Sequence, residues 1–225
     1  MPFAVTPEHR TFFEKNHYIG FEGLITPALA AQLKQDAEQA LCKKLGIPSH
    51  RITEETSLQL FQAGYHLYLT QESIKRVTHK TSFAAIVAEL TLQTSIRFGF
   101  DQYVLITHGL TPPFPDAPSL QQTSCLSPLA AALILPLQDL KEPLDCFPMM
   151  PQKAGDALFI SPTLPIPWSK LFAVEGLSFL FIGYAQAKTF FKAETQDPLA
   201  RELKKLGLAF NDLIKNPLHP LLKRV

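Results

Sequence analysis

The sequence predicts an α+β domain, with helices first, then a sandwich or barrel of short strands, then a C-terminal helix. Three observations carry this. Two Thr-Pro pairs, Thr6-Pro7 and Thr26-Pro27, open helical stretches near the start of the chain. From Ser95 onward, short apolar or β-branched runs are separated by Pro, Gly and Asp. At Lys153–Trp168, KAGDALFISPTLPIPW, a tight turn at Ala154-Gly155-Asp156 feeds a strand Ala157–Ile160 and a proline-stiffened exit.

In chain order, Thr6 is an N-cap and Pro7 a first helical residue, so a helix carrying Phe12 and Phe13 is expected to end before Gly20. Thr26-Pro27 repeats the signal. Leu29, Leu33, Ala37, Leu41 and Leu45 then recur near helical spacing, and Gly46 supplies the C′ stop, which predicts a helix over about Pro27–Leu45. Residues 47–80 hold no clean period and stay mixed. Ser82–Leu90 predicts a short buried helix. Ser95–Phe100, Tyr103–Thr107, Leu129–Leu137, Ala157–Ile160 and Leu177–Tyr184 predict strands. Thr111–Ser119, TPPFPDAPS, predicts a stiff loop. Asp197-Pro198 opens a last helix that Gly207 stops, and Asn216–Val225, with Pro217 and Pro220, predicts an extended tail. The whole is one domain: a helical part at about 6–92, a β core at about 95–190 and a helical tail at about 197–225.

Composition narrows the function classes. The net charge is +1 and the basic pairs are scattered, so no electrostatic footprint for nucleic acid or an anionic membrane is expected. Cys42, Cys125 and Cys146 are odd in number and lack C-x-x-C spacing, which argues against a disulfide framework and a structural zinc site. The N-terminus has no basic region followed by an apolar run. The longest apolar stretch, Leu129–Leu137, is interrupted by Pro136 and falls short of the roughly 20 residues that span a bilayer. A cytoplasmic location is expected. Phosphate-cradling glycine motifs and a G-x-S-x-G elbow are absent.

The segment Phe12–Leu41, FFEKNHYIGFEGLITPALAAQLKQDAEQAL, the strand Ala131–Leu140 ending in Gln138-Asp139, and the Gly155-Asp156 turn together resemble the phytanoyl-CoA dioxygenase-like branch of the iron(II)/2-oxoglutarate oxygenases. The resemblance implies a double-stranded β-helix barrel of the cupin or jelly-roll kind, with N-terminal helices packed on its sheet. It also implies an iron site of two histidines and one carboxylate, with positions left open for 2-oxoglutarate and oxygen. An arginine fork would hold the far carboxylate of 2-oxoglutarate.

The residues that should carry this chemistry are missing. The His-x-Asp window, Leu120–Cys125, reads LQQTSC. The distal histidine window, Thr163–Ser169, and the arginine window, about Ala173–Tyr184, hold neither residue. The conclusion is independent of register: His108 is the only histidine between Phe98 and Leu218, and no arginine lies between Phe98 and Ala200. No cofactor, metal ligand or catalytic residue is therefore assigned. The expected role is a non-catalytic or highly diverged binding or regulatory module, with a small molecule or a protein as partner.

The alternatives are an enzyme that uses the same cavity with other residues and a metal-responsive regulator. The candidate pocket residues are Gln121, Gln122, Thr123, Ser124, His108, Ile166, Trp168 and Lys170. The Gln121–Ser124 run lines a small polar pocket or forms a solvated strand. Trp168 walls a pocket or packs in the core. Lys170 stands where a carboxylate could be bound in place of the arginine. Asp156 serves the turn. A cluster of His66, His79 and His108 with Asp101 or Asp116 is the remaining metal alternative, and no spacing supports it.

Overall fold

The computed structural model describes residues 4–109, 111–114, 116–192, 197 and 199–223. Its helices are α1 Pro7–Asn16, α2 Pro27–Leu45, α3 Ser57–Ala63, α4 Glu72–Thr78, α5 Thr81–Thr91, α6 Leu120–Thr123, α7 Trp168–Leu171 and α8 Leu199–Lys205. Its strands are β1 Tyr18–Phe21, β2 Ile96–Leu105, β3 Leu126–Pro136, β4 Ala157–Ile160, β5 Ser178–Phe191 and β6 Leu221–Lys223.

The predicted helices form for the predicted reasons. Thr6 caps α1 by accepting from His9 N at 3.3 Å, and the His9 ring accepts from Thr6 N in return. Thr26 caps α2 by accepting from Leu29 N at 3.2 Å, and Gly46 ends it at φ 68°. The mixed region 47–80 resolves into α3, α4 and two 3-10 turns, Ser49–Glu54 and Leu67–Leu69. These elements are too short to show a period in the sequence.

The strands form one antiparallel sheet in the order β1-β4-β3-β5-β2-β6. Both faces are buried, so the strands read as continuous apolar runs rather than alternating ones. Ile96, Phe98, Tyr103, Leu105, Leu133 and Phe159 pack with α2, α4 and α5 on one face. Phe100, Val104, Ile134, Leu158 and Phe181 pack on the other, against Phe114, Leu120, Trp168, Phe172, Leu199 and Leu203. A register shift between Phe98 and Phe100 turns the side chains of β2 over between these two sets. Among the described residues no helix is long and apolar enough to cross a membrane.

Several expectations need correction. Ser95–Phe100 and Tyr103–Thr107 are one strand, because the polar pair between them is buried and hydrogen-bonded from outside it, Asp101 Oδ2 accepting from Leu67 N and Gln102 Nε2 donating to Phe61 O. The Gln121–Ser124 run is not a strand: α6 occupies it, with Gln122 Oε1 accepting from Ser119 N at 2.8 Å. The tail is not merely extended, since β6 pairs with β2 at the sheet edge. β1 was not foreseen. Pro198, Arg224 and Val225 lie outside the described residues.

The Gly155-Asp156 turn has a structural task. Gly155 sits at φ 90°, and a Cβ there would meet Ile25 O at 2.3 Å, so only glycine fits. Asp156 Oδ1 accepts from Gly23 N at 2.8 Å. Together they clasp the loop that launches α2 onto the sheet.

Candidate functional site

The two windows where the resemblance places metal ligands lie side by side. Gln121 N donates to Pro162 O at 2.9 Å, and Ile166 N donates to Pro118 O at 3.3 Å. The two segments are therefore adjacent, and their side chains decide what the place can do.

Gln121 and Gln122 are exposed and line an open hollow of ≈ 650 Å³ with Ser119, Thr163, Pro165 and Lys192. Thr123 and Ser124 are buried and face the α6–α7 side of the sheet. Ile166 and Trp168 are 1% and 2% exposed and belong to the apolar core of that side. The Trp168 ring meets Phe61 at 5.6 Å, Phe114 at 5.8 Å and Phe181 at 6.2 Å between centroids. These edge and tilted contacts are the geometry that aromatic cores favour. A cavity of ≈ 40 Å³ remains, lined by Tyr65, Gln102, Thr123, Ser124, Trp168 and Asp197 among others. That is room for about three waters, at roughly 10–15 Å³ for each, whereas ligand pockets run from about 300 Å³ upward.

His108 and Lys170 are exposed and do not line this cavity. His108 Nδ1 lies 3.1 Å from Thr53 O, and its backbone oxygen accepts from Ser57 N and Oγ, which ties the end of β2 to α3. The eight candidates thus divide: Thr123, Ser124 and Trp168 converge on the cavity, Ile166 packs in the surrounding core, and Gln121, Gln122, His108 and Lys170 stand outside.

Sequence reasoning missed the polar groups that complete the cavity. Asp197 is 6% exposed and accepts from Cys125 N at 2.7 Å and Ser124 Oγ at 3.3 Å. Tyr65 Oη donates to its other oxygen at 3.4 Å. Burial pushes the Asp197 carboxyl above its usual range, opposed by these donors. Burial, then the charge of Asp197, holds the Tyr65 phenol well above 10. Gln102 Nε2 donates to Phe61 O and Tyr103 O, each at 2.8 Å, fixing the C-terminal end of α3 to β2.

The histidine alternative does not assemble. His66 N donates to Asp101 O at 3.0 Å, and Leu67 N donates to Asp101 Oδ2 at 2.9 Å, so these two residues are neighbours. His79 stacks on Phe98 at 4.5 Å instead, while His108 and Asp116 are exposed. Among the described residues no group of three His, Cys, Asp or Glu could hold a metal ion. Burial first, then His219 and Lys44, lowers the His66 pKa to about 3. Burial first, then Arg97, lowers His219 to about 4. Burial raises Asp101 to about 7 against its backbone donors.

A cleft of ≈ 800 Å³ opens elsewhere, at the Leu105 end of β2 and the Leu177 approach to β5. It contains none of the candidate residues.

No family model matches the chain, and no curated protein matches it in sequence. Solved structures do. SnoK, the non-heme alpha ketoglutarate dependent carbocyclase from nogalamycin biosynthesis, superposes with a TM-score of 0.68 at 12% identity, over 98% of this chain and 99% of that one. SnoN, the non-heme alpha ketoglutarate dependent epimerase from the same biosynthesis, gives 0.66 at 15% identity, over 95% and 97%. HygX from Streptomyces hygroscopicus, solved with nickel and 2-oxoglutarate bound, gives 0.53 at 12% identity, over 93% and 98%. At such identities the likeness establishes the fold alone: the chain has the oxygenase-like fold of these proteins.

Proposed function

We propose that the chain is a non-catalytic or highly diverged relative of the iron(II)/2-oxoglutarate oxygenases, with a degenerate site in a double-stranded β-helix frame. We take its pattern to be that of the phytanoyl-CoA dioxygenase-like branch. It acts as a cytoplasmic binding or regulatory module whose partner is a small molecule or a protein.

One observation carries this reading. The paired windows turn Ile166 and Trp168 inward and Gln121 and Gln122 outward. Iron of this type needs two imidazoles and a carboxylate converging on one point. These side chains offer hydroxyls, amides and hydrocarbon, so the residues do not fit the metal. A bidentate anchor for 2-oxoglutarate is missing too, since no arginine lies between Phe98 and Ala200.

The test is to load the protein anaerobically with iron(II) and 2-oxoglutarate. No metal-to-ligand charge-transfer band should appear. Iron bound at one equivalent, with that band, would overturn the reading.

The enzyme alternative needs an open cavity with convergent polar groups. The cavity under Trp168 is only ≈ 40 Å³, the open hollow of ≈ 650 Å³ beside Gln121 and Gln122 offers amides, hydroxyls and the Lys192 ammonium but no carboxylate or imidazole, and His108 and Lys170 line neither. The metal-responsive regulator needs a sensing cluster, and the described residues bring none together.

A further inference from the structure

Asp197 holds the N-terminal end of α8 in a way that a helix cap does not require. Its Oδ1 accepts from Leu199 N at 2.9 Å, which is the cap. Its remaining partners come from far away in the chain. Cys125 N and Ser124 Oγ donate from the approach to β3, and Tyr65 Oη donates from the turn after α3.

These donors are positioned without help from Asp197. Cys125 directly precedes the first residue of β3, which pairs with β5 there. Ser124 Oγ accepts from Leu126 N at 3.1 Å, which aims its proton at the carboxylate. The Tyr65 ring stacks on His66 at 4.3 Å and on Phe100 at 6.1 Å. Gly64 before it packs so closely that a Cβ would meet Tyr103 O at 2.1 Å. An amide and two hydroxyls held ready by other contacts are what a carboxylate-binding site consists of. This site opens on the ≈ 40 Å³ cavity under Trp168.

We propose that Tyr65, Ser124 and the Cys125 amide form a carboxylate-binding site that the chain fills with its own Asp197. The free ligand it fits is a monocarboxylate of formate or acetate size, given the small cavity. Occupation by Asp197 holds α8 against the aromatic core, with Leu199 and Leu203 fully buried. A free carboxylate competes with Asp197 for the same donors. The tethered group has a large advantage because its binding is intramolecular. This rests on the proposed function only in taking the cavity as a closed binding site. Iron loading tests that reading and carboxylate binding tests this one, so the two fail separately.

The experiment is chemical rescue in the full chain. Asp197→Gly is expected to lower the unfolding midpoint, and sodium formate or acetate to raise it again in a saturable way. Sodium chloride at equal ionic strength is the control. Wild type, with its site filled, should show no carboxylate-specific shift. Asp197→Asn fills the space with an amide, so it should be less stable than wild type and unresponsive to formate. Adding Ser124→Ala to Asp197→Gly should weaken the formate response. If Asp197→Gly does not fold alone, it is refolded from urea in formate or in chloride, and recovery in formate only is expected. The proposal is overturned by equal midpoints or equal recovery in formate and chloride. It is also overturned by an Asp197→Asn variant as stable as wild type, or by a formate response indifferent to Ser124→Ala.

Discussion

Lowering the pH from 6.5 to 4 should destabilise the protein through His66 and His219, and His66→Gln with His219→Gln should remove most of that loss. Both imidazoles are buried neutral, with folded pKa values of about 3 and about 4 against a free value of 6.5. Between those values the unfolded chain binds protons that the folded chain refuses. The stability each neutral ring confers is therefore present above pH 6.5 and lost as pH falls toward the folded pKa. At about 1.4 kcal/mol per pH unit, the pair loses about 7 kcal/mol by pH 4. Asp101 works in the opposite sense. Its folded pKa of about 7 lies above its free value of 3.8, so it regains about 3 kcal/mol over the same descent. Comparing the double variant with wild type isolates the histidine contribution from those of Asp101 and of Asp197, whose carboxyl burial also raises. Urea unfolding at pH 7 and pH 4 measures it. A double variant with the same pH slope as wild type would contradict the assignment.

Putting the missing ligands back should yield neither iron binding nor turnover. The substitutions are Gln121→His, Thr123→Asp and Ile166→His. In a strand, residues two apart share a face. In α6 they stand about 200° apart at about 100° per residue, so the new imidazole faces solvent while the new carboxylate is buried. Ile166 is 1% exposed and flanked by Pro165 and Pro167, which fix their own φ and restrict the residues before them. An imidazole there displaces core hydrocarbon and brings an unpartnered polar ring, a loss of about 2–5 kcal/mol. Groups that orient metal-bound histidines, worth roughly 10–100-fold in affinity, are not supplied by these changes. Unfolding midpoints should drop, and no succinate should form. Succinate release by the triple variant would show that the site is nearly intact.

The sequence was most legible where local chemistry dictates structure. α2 could be bounded at both ends because Thr26-Pro27 and Gly46 act within a turn of their own positions. α6 could have been found from its capping box, in which Ser119 is followed three residues later by Gln122. The oxygenase resemblance implies a strand at that run instead. β6 is three residues long and follows Pro220, so no pattern announces its pairing with β2. The carboxylate site was beyond the sequence altogether. Tyr65 and Asp197 are 132 residues apart, and neither carries a local signal of the other. The lack of histidine and carboxylate in the two windows was readable from residue identity alone. What fills their place was not, because the inward turn of Ile166 and Trp168 depends on how the 163–168 segment lies on α6.

Trp168 is the only tryptophan in the chain, so its fluorescence reports on the disputed place without labelling. At 2% exposure among Phe61, Phe114 and Phe181, its emission should be blue-shifted and resistant to acrylamide. Anaerobic titration with iron(II) and 2-oxoglutarate should leave emission and acrylamide resistance unchanged. Saturable quenching that ends at one equivalent of iron would mean that the metal binds beside the indole, and would contradict the claim that aromatic packing has replaced the metal site.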